Sequence, residues 1–140
     1  MGLIYANIEI LNATDVDMAA HHQIGEDEIR RLDISCMVDT GAVMLIINEE
    51  IRAALGLTIR GVRQSRLADN RPIELPVAGP VEVRYAGRFC TTNALVLPDD
   101  GEPLLGAIPM EEMDLWVNPN RQMLTPVHPE GPVMMLKGAR

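Results

Sequence analysis

Between Leu32 and Val38 the chain alternates: Leu32, Ile34, Cys36 and Val38 fall on one side, with Asp33, Ser35 and Met37 between them. A period of two marks a strand with one face turned to a core. This strand runs straight into Asp39-Thr40-Gly41-Ala42, and a second apolar run extends from Ala42 to Ile47. Then comes Asn48-Glu49-Glu50-Ile51-Arg52-Ala53-Ala54-Leu55-Gly56. Asn48 suits a helix N-cap and Glu49 and Glu50 suit the electropositive first turn. Ile51, Ala54 and Leu55 share one face, and Gly56 suits the stop. The order is strand, turn, apolar stretch, capped helix, and it sets Asp39 at a strand's end.

The rest of the chain also reads as short strands. Ile8 and Ile10 flank Glu9 in an extended segment from Tyr5 to Leu11, and Asn12-Ala13-Thr14-Asp15 has turn chemistry. The stretch from Val16 to Glu28 is read either as a loop or as a short helix capped by Asp15. Leu67-Ala68-Asp69-Asn70-Arg71-Pro72-Ile73 predicts a hairpin between two extended arms. Val81, Val83 and Tyr85 alternate with Glu82 and Arg84 before a turn at Ala86-Gly87, and Asn93–Leu97 is a further strand. Pro109 is placed to open a short helix through Met113. Asn118-Pro119-Asn120-Arg121 predicts another hairpin. These elements give an all-β chain with two short helices, closing as a small β-barrel-like domain. With 140 residues one domain is expected, its core about residues 5–127 and its tail 128–140. Aromatics are 3% of the residues, so the core must be aliphatic and draw on the nine methionines.

Charge and cysteine usage narrow the function. A formal net charge of −8, with no basic run beyond Arg30-Arg31, disfavours nucleic acid as a partner. The segment Met1–Leu11 has no basic start before its apolar residues, so it does not read as a secretory signal. The run Ala42–Ile47 is too short to cross a membrane. Two cysteines, Cys36 and Cys90, fit a reducing cytoplasm better than a disulfide framework. His21, His22 and His128 lack the spacing of a ligand set, so neither a metal nor a cofactor is expected.

The pattern Val38-Asp39-Thr40-Gly41-Ala42, the helix closing in Leu55-Gly56-Leu57, the turn Ala68-Asp69-Asn70 and the late Leu104-Leu105-Gly106-Ala107 come in a telling order. Together they resemble the retropepsin-like aspartic proteases, above all the single-domain bacterial members. The resemblance covers roughly residues 32–127. It implies a closed acid-protease barrel, a site shared between two identical subunits, and a flap hairpin over the cleft. Asp39 would be the catalytic residue, supported by Thr40, Gly41 and Ala42, with Ala68, Asp69 and Asn70 in the flap facing a peptide or protein substrate. The chemistry explains the pairing. Peptide hydrolysis needs a base for water and an acid for the carbonyl. Two carboxylates in contact share one proton, which supplies both. A chain with one such motif needs a two-fold axis for the second.

Viral relatives follow the alanine with acidic residues that anchor substrate, one of them paired to an arginine after the late glycine. Here those places hold Val43, Met44 and Ala107. The leading expectation is therefore a homodimeric aspartic endopeptidase whose terminal residues around Met134-Met135 add a strand to the dimer. The alternatives are a catalytically inactive dimeric β module that grips an extended peptide, and an accessory subunit of a larger assembly.

Overall fold

Strand β1 (Tyr5–Asn12) buries Ala6, Ile8 and Ile10 in the main core and exposes Tyr5 and Asn7. In the computed structural model, which describes residues 2–134 and 136, β1 pairs along both edges. On one side it lies antiparallel to β2 (Arg31–Val38), from Tyr5↔Met37 to Leu11↔Arg31. On the other it meets β5 (Pro72–Tyr85), from Glu9↔Arg84 to Asn12↔Val81.

The sheet is completed by β3 (Leu45–Asn48), β4 (Thr58–Arg66), β6 (Arg88–Leu97) and the two-residue β7 (Leu104–Leu105), in the order β1-β2-β7-β3-β6-β5-β4. Because β1 also bonds β5, six of these strands close on themselves, and β4 stands outside the ring, paired to β5. Closure leaves the barrel wall without edges. β5 serves both parts through a register shift between Ala78 and Val81: Pro72–Gly79 pairs with β4, and Val81–Arg84 pairs with β1. β8 (Leu115–Asn118) and β9 (Met123–Pro126) form a separate hairpin around the expected turn. The fold is the closed β-barrel-like architecture expected from sequence.

Ile47, Leu55, Leu57, Val81, Val83 and Leu105 fill the barrel. Cys36 lies among them on the inward face of β2, as the alternation requires. Helix α2 (Glu49–Leu55) forms as the sequence indicates. The Asn48 side chain accepts from the Ile51 amide at 2.9 Å, and Gly56 adopts φ +64°, a left-handed stop that needs no β-carbon. Ile51 and Leu55 are buried, whereas Ala54, expected beside them, is exposed.

The helix count differs from expectation. Besides α2 and α3 (Ala107–Glu112) the described residues form a third helix, α1 (Ala13–Ala20), which overlaps the turn expected at residues 12–15 and the stretch from Val16 read either as a loop or as a short helix. Asn12, not Asp15, is the cap, accepting from the Asp15 amide at 3.1 Å. The Asp15 carboxylate instead takes Arg30 in a two-pronged pair, at 2.8 Å from Nε and 3.0 Å from Nη2. Leu11 is thereby buried under α1 with Ala19 and Ile29, in a small second core. α3 begins at Ala107, two residues before Pro109. A proline is tolerated there because the first amides of a helix have no partner within it. The terminal strand expected around Met134-Met135 falls partly outside the described residues.

Candidate active site

β2 and β3 are consecutive in sequence but not neighbours in the sheet. β7 is threaded between them, parallel to β2 through Met37↔Leu104 and Val38↔Leu105, and antiparallel to β3 at Ile46↔Leu104. The segment joining β2 to β3, residues 39–44, must therefore arch over β7. Hydrogen bonds pin this arch at both ends. The Asp39 amide donates to the Leu105 carbonyl at 3.1 Å, and the Ala42 amide to the Asp39 carbonyl at 3.1 Å. From the far side, the Ala107 amide donates to the Ala42 carbonyl at 2.8 Å, and the Ile108 amide to the Val43 carbonyl at 2.9 Å. Gly106 sits where this approach is tightest, which explains the glycine of Leu104-Leu105-Gly106-Ala107.

Asp39 is half-buried, and one carboxylate oxygen accepts from the Gly41 amide at 2.9 Å. That bond fixes the carboxylate's direction. A β-carbon on Gly41 would come within 3.1 Å of the same oxygen, so a bare glycine suits the contact. Thr40 and Gly41 are exposed and Ala42 is half-buried. The four residues of the motif are thus brought together in one pinned turn at the barrel rim.

The second group, Ala68, Asp69 and Asn70, lies at the tip between β4 and β5. The Asn70 amide donates to the Leu67 carbonyl at 2.8 Å and the Leu67 amide to the Arg71 carbonyl at 2.9 Å. Asn70 adopts φ +68°, a left-handed conformation that asparagine tolerates better than most residues. Asp69 holds its own turn, accepting from the Arg71 amide at 3.1 Å and side chain at 2.6 Å. Among the described residues no hydrogen bond or ion pair joins this tip to Asp39. The link between hairpin and arch is one the sequence did not suggest: Arg63 of β4 reaches Met44. Nothing local in the sequence marks it, since Arg63 and Met44 lie 19 residues apart.

Other reactive groups serve the scaffold. Burial pushes the Cys36 and Cys90 thiols up to about 12, so both are protonated, weakly nucleophilic thiols at neutral pH. His128 meets Asp114 at 2.5 Å, and the hydrogen bond from His128 holds the Asp114 carboxyl below its usual range, helped by the Val133 amide and by Arg88. The Arg88 guanidinium, almost fully buried, donates to the Met113, Asp114 and His128 carbonyls, tying the segment after β9 to the end of α3. An open concavity of about 660 Å³ lies between α3 and this segment, lined by Ile108, Glu111 and Val133 among others, and Asp39 does not line it.

No protein-family model and no curated protein matches the sequence. Among solved structures, the chain is similar to the retroviral protease-like domain of Ddi1 from Leishmania major. Identity is 14%, the TM-score is 0.56, and 99% of each chain is covered. At that identity the likeness concerns the fold, which is retropepsin-like.

Proposed function

We propose that this chain is one half of an aspartic endopeptidase, completed when a second copy brings its own Asp39 to a shared two-fold axis. The observation that carries the reading is the pinned turn: a carboxylate oriented by the Gly41 amide, half-open to solvent, at the end of a core strand in a retropepsin-like barrel. In the dyad the ionised Asp39 takes a proton from water as the oxygen attacks the peptide carbonyl, and the neutral Asp39 donates its proton to the carbonyl oxygen. Collapse of the gem-diol then expels the amine as it is protonated, and the pair again shares one proton. Thr40, exposed in the single chain, would bridge the two turns, and the 67–71 tip would cover the bound peptide.

Apolar exposure supports a second copy. Val43 is 57% and Ile108 43% exposed, and their backbones are bonded beside the arch. Leu3 is 72% and Met134 69% exposed. Exposed apolar groups of this size suit a face that another chain covers. In this reading the chain is one domain with a core of about residues 5–127, and the tail adds a strand to the dimer. The free, buried Cys36 and Cys90 favour the cytoplasm. No helix among the described residues is long and apolar enough to cross a membrane.

The test compares wild type with Asp39→Asn on a denatured protein substrate from acid to neutral pH. Cleavage is expected to fall by about three orders of magnitude; equal cleavage by both proteins sinks the proposal. A second reading, an inactive dimeric module gripping an extended peptide, is favoured by the apolar Val43 and Met44 where viral relatives carry anchoring acids. Peptide binding without turnover at every pH would select it.

A further inference from the structure

The hairpin outside the barrel is basic in an acidic protein. Its two arms and tip, residues 58–79, hold Arg60, Arg63, Arg66 and Arg71 against two acids, Asp69 and Glu74, while the chain's formal charge is −8. Two of these arginines have evident tasks at the tip: Arg71 pairs with Asp69 at 2.6 Å, and Arg66 donates to the Asn70 carbonyl at 3.1 Å.

Arg63 is placed differently. Its cross-strand partner is Leu75, which is 6% exposed. Directly opposed residues of an antiparallel pair put their side chains on the same face, so Arg63, itself exposed, shares a face with the buried Leu75. Its Nη1 stands 3.2 Å from the Met44 sulfur, on the arch that begins at Asp39. A thioether is a weak acceptor and carries no charge. Among the described residues no carboxylate pairs with Arg63, and its other donors have no partner. A guanidinium with a free planar fork beside the arch is suited to a carboxylate, which it can take in two parallel hydrogen bonds.

We propose that Arg63 is a specificity-determining residue, binding an Asp or Glu side chain of an extended polypeptide beside Asp39, so that the preferred substrate is acidic near the bond that is cut. The catalytic half of this statement rests on the peptidase reading above; the binding half does not. Arginines on an outlying strand also discourage sheet-to-sheet pairing, but a glutamate at position 63 would serve that purpose equally well.

The probe is a set of fluorescein-labelled peptides of one neutral sequence, with a single Gln replaced by Glu, and separately by Lys, at each position in turn. Binding is followed by anisotropy in an Asp39→Asn background, and kcat/KM is measured with Asp39 intact, for Arg63, Arg63→Gln and Arg63→Glu. With Arg63 present, Glu at one position should bind and react about three- to tenfold better than Gln, an advantage that fades as salt is raised. Arg63→Gln should erase the preference, and Arg63→Glu should turn it toward Lys. A Glu preference that persists in both variants, its absence with Arg63 in place, or no binding of any peptide overturns the proposal. Arg63-dependent Glu binding without cleavage would keep this inference and remove the peptidase reading.

Discussion

A β-carbon at Gly106 would lie 2.3 Å from the Met44 carbonyl oxygen and 2.8 Å from that of Ala42. Those oxygens belong to backbone that cannot swing aside as a flexible side chain does. Gly106→Ala is therefore expected to lower stability by about 1–3 kcal/mol, as overpacking does. On the proposed peptidase reading it should also depress kcat/KM, because the displaced atoms belong to the arch that begins at Asp39; urea unfolding beside a peptide assay would separate the two effects. Full activity with an unchanged unfolding midpoint would contradict the crowding. The thiols give a second check. With both pushed up to about 12, Cys36 and Cys90 should resist an aromatic disulfide reagent at pH 8 in the folded protein and both react once it is unfolded. Fast labelling of the native protein would contradict the burial. At this scale the sequence was informative where a residue's task is local. Asp39, Gly41 and Asn70 could be singled out because their hydrogen bonds lie within the turn itself. Arg63 could not, since its neighbour Met44 is close only after two separate elements have folded together.

Among the elements, α2 was legible because its cap, first-turn acids and stop are all written in consecutive residues. α1 was not. Its sequence, Ala13-Thr14-Asp15-Val16-Asp17-Met18-Ala19-Ala20, has a weak apolar stripe, and the residue that looks like a cap is committed to an ion pair with Arg30. That pair has a pH signature. The hydrogen bond from Arg30 holds the Asp15 carboxyl below its usual range. A depressed folded value means the contribution is complete above the unfolded value of about 3.9 and disappears as pH falls through the folded one. Asp15 is 5% exposed but Arg30 is half-exposed, so Asp15→Asn should cost about 1–3 kcal/mol at pH 7, the range of a charged hydrogen bond. The difference from wild type should shrink below about pH 4. Parallel unfolding curves at pH 7 and pH 3 would show it; a constant difference would mean the pair carries no such linkage. Ala54 shows the limit of periodicity alone. It belongs to the helical face the pattern selects, yet it is exposed while Ile51 and Leu55 are buried.

For the molecule as a whole, the alternation of β1, β2 and β5 implied a barrel, and the ring closed by β1 against β5 fulfils it. The position of β7 was not legible, because a two-residue strand has no period and its partners come from the first half of the chain. If two copies form one site, the specific activity should decline on dilution through the dimer's dissociation constant, and sedimentation should show the mass halving over the same range. Constant specific activity across that range would rule out a shared dyad.

The insertion of β7 also sets an order of events. On a growing polypeptide, β2 and β3 are made early and together, but the gap between them can be filled only by residues 104 and 105. Contacts this distant in sequence form late. Synthesis must run through most of the chain before the turn bearing Asp39 can be locked, and a product stopped at residue 100 would carry the aspartate with nothing to hold it in place.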